Sequence, residues 1–448
     1  MGRRSHSRKL AIWMNGVRVG EWTISPQGYD QLNYDADWLQ SPRARPLSLS
    51  LPLQSAPIRA PAVGAYFDNL LPDSDPIRKR LQARFATQGR SAFDLLESIG
   101  RDCVGAVQLL PPDALPADHR HVDVTPLTEA QVAQILRDTT LPSGGIFRET
   151  PADFRISIAG AQEKTALTWG DGEWCLPRGM TPTTHIFKLP LGLVGARKAD
   201  MRTSVENEWL CAQLLRAYGL PIAETAMGLF EDQKALIVTR FDRQRVAEGY
   251  WLRLPQEDFC QALGRPSEAK YESDGGPGHA EVIEKLVLSH NAATDLITFF
   301  RSQLLFWMLA ATDGHAKNFS LYLLPGARYE LTPLYDVLSA WPVTGQGANL
   351  LNYKELKLAM ALHSTNRHYL LEKVQDRHFL ALAARCRFGQ AEGRLLIDEL
   401  LEKTASVIDQ VGNLLPTSFP LDVFDAITEG LTWSANRLAL SAKQATKN

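Results

Sequence analysis

The chain has 448 residues, 45% of them hydrophobic, which is ample for two or three domains with real cores. Its formal net charge is −2, so no global basic field announces nucleic acid, and any such binding needs a local patch. No apolar run has the length of a membrane span, and the basic start MGRRSHSRKL lacks the apolar core of a signal peptide. The five cysteines are scattered and form no C-x-x-C, which fits a reducing cytoplasm and argues against a disulfide frame or a zinc site. In chain order, Lys9–Met14 and Val17–Thr23 read as strands around an Asn15-Gly16 hairpin turn. Arg45–Leu53 alternates apolar and polar residues between prolines, as a strand would. Residues 65–72, 74–85 and 91–100 read as helices, the second with Ser74 or Asp75 as cap and Pro76 in its first turn. A strand over 105–110 closes this unit, proline-rich 111–125 reads as a linker, and Thr128 with Gln131 forms a capping box for a short helix.

The next stretch carries chemistry. In Phe154–Leu167 a strand runs through Ala-Gly-Ala into a second strand, where small residues and exposed N–H groups can cradle phosphate oxygens. It lacks the ending of a Walker A loop, and an ordinary hairpin turn is the plainer reading. Lys188 lies in an apolar strand (THIFKLP), either as an edge-strand lysine or as a phosphate clamp. Glu206 and Glu208 open a helix that ends at Gly219, and Glu208 is the preferred partner for that lysine. Ala235–Phe241 reads as a strand whose end forms a hinge. From Pro255 onward the chain reads as mostly helical, interrupted by a polar, glycine-rich loop over 270–279.

The segments LAATDGHAKNF (309–319) and LTPLYDVLS (331–339) organise the rest. Asp313, Asn318 five residues later and the later Asp336 are spaced as kinase-like phosphotransferases space their catalytic Asp and two metal ligands. Mg²⁺ takes few protein oxygens and fills its shell with phosphate and water, so one amide and one carboxylate suffice. Each motif is weak alone. Their order, from small-residue turn through strand lysine, helix glutamate and hinge to D-x-x-x-x-N and late Asp, is the order kinases require. His315 in this setting reads as part of the site rather than as a core or loop histidine.

Over nearly its whole length the chain resembles the HipA family, the serine/threonine kinase toxins of bacterial HipBA toxin–antitoxin modules. The resemblance runs through WMNGVRVGEW, ARPLSLSLPL, FDNLLPDS, FRISIAGAQEKTAL, TPTTHIFKLP, KYESDGGPG, ATDGHAKNFS and LTPLYDVLSA. It implies an α+β, two-lobed kinase-like fold with an extra N-terminal β-rich subdomain and a mostly helical C-terminal lobe. The expected divisions are 1–110, a linker and short helix over 111–149, a small lobe over 150–241 and the helical catalytic lobe over 242–448.

The resemblance also implies roles. Ala159, Gly160, Ala161, Gln162, Glu163 and Lys164 would cover ATP, Lys188 would hold its α/β-phosphates, and Thr239, Arg240 and Phe241 would form the adenine hinge. Asp313 would be the catalytic acid with His315 beside it, and Asn318 and Asp336 would bind Mg²⁺. Ser157 would be an autophosphorylated off-switch, since a phosphate there adds about −1.5 to −2 charge beside an ATP-binding loop. The family's substrate is glutamyl-tRNA synthetase, and its partner is a helix-turn-helix antitoxin, HipB, with which it represses its own operon by binding operator DNA. No membrane partner is implied. Two other classes stay open here: a kinase of small molecules or lipids, because D-G-H-x-x-N resembles their D-x-H-x-x-N, and a non-catalytic DNA-binding corepressor. Arg377, Arg385, Arg387 and Arg394 could touch phosphate backbone or be a solvated face, and Asp68 and Asp73 read as a domain-packing helix end.

Overall fold

The computed structural model describes residues 7–140, 158–160 and 162–445. The chain forms two compact units, one of Met1–Leu189, Gly228–Ala269 and Leu321–Tyr329, the other of Pro190–Met227, Lys270–Ser320 and Glu330–Asn448.

In the first unit the hairpin expected from Asn15-Gly16 is present. Arg8–Met14 pairs antiparallel with Val17–Ile24, and the two turn residues take φ of 46° and 77°, the left-handed pair that matches strand twist. Asp30–Tyr34 and Val107–Leu110 flank this pair to complete a four-stranded sheet. Three helices, Pro61–Asp68, Asp75–Phe85 and Ala92–Ile99, lie in the chain between the third strand and Val107–Leu110. Trp22 stacks on Phe67 at 3.9 Å and leans on Phe93 at 4.8 Å, so three large buried rings join the sheet to two of these helices. Such rings dominate core energetics.

Arg45–Leu53 is not a strand. Leu47 and Leu51 are fully buried as the alternation demands, but the backbone makes only a local Ser48–Leu51 bridge. Its other donors find side chains: Leu47 N–H donates to the Tyr34 hydroxyl at 2.9 Å and Leu49 N–H to Glu257 Oε1 at 2.9 Å. Alternation therefore reported burial, while side-chain acceptors replaced the ladder.

A second, six-stranded sheet runs in the order Thr225–Phe230, Gln233–Thr239, His185–Lys188, Lys164–Gly170, Glu173–Pro177 and Val124–Pro126. The end of the expected linker thus supplies an edge strand. Helix Glu129–Thr140 buries Val132, Ala133 and Leu136 in the same core as Leu167 and Phe187. The segment after Pro255 also departs from expectation. Gln256–Asp258 is a short strand, and only Phe259–Ala262 is helical, started by a capping box between Asp258 and Gln261. The strand expected over Arg155–Ile158 falls largely outside the described residues.

The second unit is mainly helical: Ser204–Ala217, His279–Leu286, Ala292–Met308, Asp376–Arg385, Gln390–Gly412 and Leu421–Ala445. Ala292–Met308 has buried side chains around its whole circumference, as a central helix must. It stops at Met308, because Ala310 turns left-handed at φ 50°. Trp307 fixes its last turn by donating to Leu371 O at 3.1 Å while its ring meets Phe379. Among the described residues no helix is long and apolar enough to cross a membrane.

Candidate active site

The left-handed Ala310 releases the chain from the central helix into the loop that holds Asp313. Gly314 has to be glycine, since a Cβ there would lie 2.6 Å from the Phe306 ring. His315 N–H donates to Asp313 O at 2.8 Å and Asn318 N–H to His315 O at 2.9 Å, which winds Ala316–Asn318 into a single 3₁₀ turn.

That turn brings Asn318 back onto the start of the loop. Its amide Nδ2 donates to Asp313 O at 2.7 Å and lies 3.4 Å from Asp336 O. With its nitrogen committed to these two carbonyls, the buried amide must present its oxygen elsewhere, and oxygen is the only atom of that group that can bind Mg²⁺. Asp336 follows with φ of 61°, a left-handed conformation that a non-glycine residue adopts only when its surroundings dictate it. Tyr335, one residue before, donates to Lys317 O at 2.8 Å and meets Ser320 Oγ at 2.5 Å, tying the late acid to the same loop. Asn207 fastens the far side of that segment, exchanging two hydrogen bonds of 2.8 Å with the Ser339 backbone. Sequence reasoning passed over Asn207, although it lies between the two glutamates that drew attention.

Asp313 contrasts with its neighbours. Its side chain is 56% exposed, whereas His315 is buried with its Nε2 3.9 Å from Asp313 Oδ1. Burial lowers the His315 pKa below the ordinary imidazole value, against an opposing pull from Asp313. Tyr271, from the glycine-rich loop, donates its hydroxyl to Asp313 Oδ1 and sets its ring edge-on to His315 at 5.0 Å.

Glu206 and Glu208 are both buried at the start of Ser204–Ala217 in this unit. Among the described residues no group of three or more His, Cys, Asp or Glu side chains could hold a metal by itself. An Asn–Asp pair that relies on phosphate and water oxygens is consistent with that donor set.

The first unit holds the residues assigned to the nucleotide. Lys188 lies on an interior strand of the six-stranded sheet rather than at an edge, and is buried. Its register partner on the neighbouring strand is Lys164, so the two ammonium-bearing side chains leave the same face of the sheet. Lys164 Nζ also donates to Ala159 O at 2.7 Å and sits 2.5 Å from where a Gly160 Cβ would be, with Gly160 at φ +110°. Gln162 Nε2 reaches Leu189 O at 2.6 Å, and Glu163 pairs with Arg80. Ser157 and Ala161 lie outside the described residues.

In the hinge segment Thr239 ends its strand opposite His185. Arg240 N–H donates to Thr184 O at 2.9 Å, and Phe241 O accepts from the Tyr322 hydroxyl at 2.9 Å. The Arg240 side chain enters a buried cluster with Asp102, Asp242, Arg243 and Arg253. Of the side observations, Asp68 is engaged by Arg78 and Ser267, and Arg394 by Asp376 and Asp398.

The family model described as HipA-like C-terminal domain matches residues 156–408, and that described as HipA N-terminal domain matches residues 10–110. Y4mE of Sinorhizobium fredii, named as a candidate kinase, is 33% identical over 408 residues, covering 90% of this chain and 92% of that protein. The serine/threonine-protein kinase toxin HipA of Shewanella oneidensis is 29% identical over 341 residues, 72% of this chain and 74% of that one. The solved complex of S. oneidensis HipA, HipB and operator DNA contains a chain that superposes with a TM-score of 0.78 at 23% identity, covering 98% of this chain and 99% of that one. It shares the kinase-like two-lobed α+β fold. With both family models matched in order and relatives aligned along most of its length, this chain belongs to the HipA family of toxin kinases.

Proposed function

We propose that the chain is an ATP- and Mg²⁺-dependent protein serine kinase. The observation that carries the reading is the Asn318 amide, held by the backbone carbonyls of Asp313 and Asp336 so that the Asp313–Asn318 turn converges with Asp336, 18 residues further on. Asp313, exposed beside them, receives or orients the proton of an acceptor hydroxyl. Asn318 and Asp336 hold Mg²⁺, which when bound neutralises charge on the transferred phosphoryl group. Lys188 and Lys164 take phosphate oxygens, a role supported by their opposite placement on one face. Thr239, Arg240 and Phe241 serve the adenine side, and Gly160 with its neighbours covers the phosphates, by family resemblance. His315, buried 3.9 Å from Asp313 Oδ1, stands beside it as the second residue of the catalytic loop.

The finer reading assigns glutamyl-tRNA synthetase as acceptor, Ser157 as the site of self-silencing, and a HipB-like antitoxin with operator DNA as partners in a cytoplasmic toxin–antitoxin module. The last is supported by the S. oneidensis complex, which holds those components. The domain divisions are kept in the same way, the matched ranges 10–110 and 156–408 being their support. The test is phosphate incorporation from ATP into purified glutamyl-tRNA synthetase. Transfer by the native chain and none by Asp313→Ala is the expected result, and equal transfer by both would remove Asp313 from the reaction.

A further inference from the structure

The glycine-rich loop is stitched to the catalytic loop at three points. Lys270 O accepts from Ala316 N–H at 3.3 Å, the Tyr271 hydroxyl donates to Asp313 Oδ1, and the Tyr271 ring packs edge-on against His315. The loop is anchored behind that contact. Tyr271 O accepts from Asp274 N–H at 3.0 Å and Gly276 N–H at 2.9 Å, and the buried Glu272 carboxylate accepts from Ala361 N–H at 2.6 Å and meets His363 at 3.1 Å. A carboxylate as exposed as Asp313 would otherwise sample several rotamers. Here one oxygen, Oδ1, is held by a phenol on a pinned loop.

We propose that Tyr271 is the positioning residue of the phosphotransfer site, fixing Asp313 through Oδ1 so that Oδ2 faces the acceptor hydroxyl. The inference rests on the kinase reading above. In the step it serves, the acceptor O–H proton passes to Oδ2, the acceptor oxygen bonds to the γ-phosphorus, and the bond to ADP breaks. A hydrogen bond to a charged group that orients a reacting atom is worth roughly a factor of ten in rate.

The experiment is a double-mutant cycle on the full chain with Tyr271→Phe and Asp313→Asn. It follows label from ATP into glutamyl-tRNA synthetase and into the chain itself. Tyr271→Phe keeps the ring against His315 and removes only the hydroxyl. The expected result is a kcat about tenfold lower with KM for ATP unchanged, and no further loss when Tyr271→Phe is added to Asp313→Asn. Rates are compared per ATP-binding molecule, so an unfolded fraction does not count as lost catalysis. A Tyr271→Phe rate equal to or above the native one, or a tenfold loss that persists in full on the Asp313→Asn background, overturns the proposal. Native-level transfer by Asp313→Asn instead overturns the reading of the site itself, and an absence of transfer by the native chain overturns the kinase function.

Discussion

Two clusters of charged and polar side chains invite comparison, one in each unit. In the first unit Asp102 is fully buried and accepts from Arg243 and Arg253 at 3.0 Å and from the Thr183 hydroxyl at 2.6 Å, while Asp242 pairs with Arg240 at 2.7 Å and accepts from Gly105 N–H at 2.7 Å. The surrounding guanidiniums hold the Asp102 carboxyl far below the usual carboxylate range although burial opposes them, and burial beside Arg240 lowers Arg243 to about 10. In the second unit the Asp313 loop spends its hydrogen bonds differently. The Asn318 amide donates to a backbone carbonyl and Asp313 Oδ1 accepts from a phenol, while the Asp313 side chain stays more than half exposed. A charged network that closes on itself fixes structure, whereas one held only from behind has bonding capacity left for a ligand. The difference is in exposure: Asp102 is buried among its partners, whereas the Asp313 carboxylate is more than half exposed.

The largest effect should come from opening the second cluster. Asp313→Ala or Asp336→Ala should lower phosphate transfer by roughly 10³-fold or more, with thermal unfolding near the native value. Phosphate incorporation and calorimetry on the same preparations check this, and a melting temperature that fell with activity would make the loop structural instead. Breaking the first cluster should do the reverse. Asp102→Ala leaves three buried arginines facing one acid, and should cost about 3–5 kcal/mol of stability by denaturant titration, with transfer per folded molecule unchanged.

A smaller effect sharpens the contrast through pH. His279, buried and bonded to Gln303 Oε1 at 2.8 Å, has its pKa pushed by burial from the ordinary imidazole value to about 4. Its neutral form is favoured by the fold, so its contribution is complete above the unfolded value of about 6.5 and is lost as pH falls below it. Going from pH 7 to pH 5 should therefore remove about 1–2 kcal/mol through this residue. His279→Gln should show a correspondingly flatter fall in stability over that range, measured by denaturant titration at each pH.

How much of this could be read from the sequence depended on whether a pattern was local. Asn15-Gly16 specified its hairpin because both residues tolerate the left-handed turn that the strands require. The D-x-x-x-x-N spacing was legible because one short 3₁₀ turn closes it. Arg45–Leu53 misled because alternation reports which side chains are buried, not whether a neighbouring strand or the Tyr34 hydroxyl takes the backbone bonds. Val124–Pro126 hid within a proline-rich linker because a three-residue edge strand needs no periodic pattern. Arg240 stood in a segment expected to offer backbone to adenine, and nothing nearby in sequence announced that its side chain would join Asp102, which lies 138 residues earlier in the chain. Tyr271 and Asn207 escaped for the same reason: each acts on a segment distant in sequence.

The most direct test of the central claim is intact-mass spectrometry, with peptide mapping, of the purified chain after incubation with ATP and Mg²⁺. The account predicts a gain of one phosphate on Ser157 in the native chain and none in Asp313→Ala. A chain that starts unphosphorylated, binds ATP and gains no phosphate, or one in which Asp313→Ala gains it equally, would contradict the assignment of a protein serine kinase centred on Asp313.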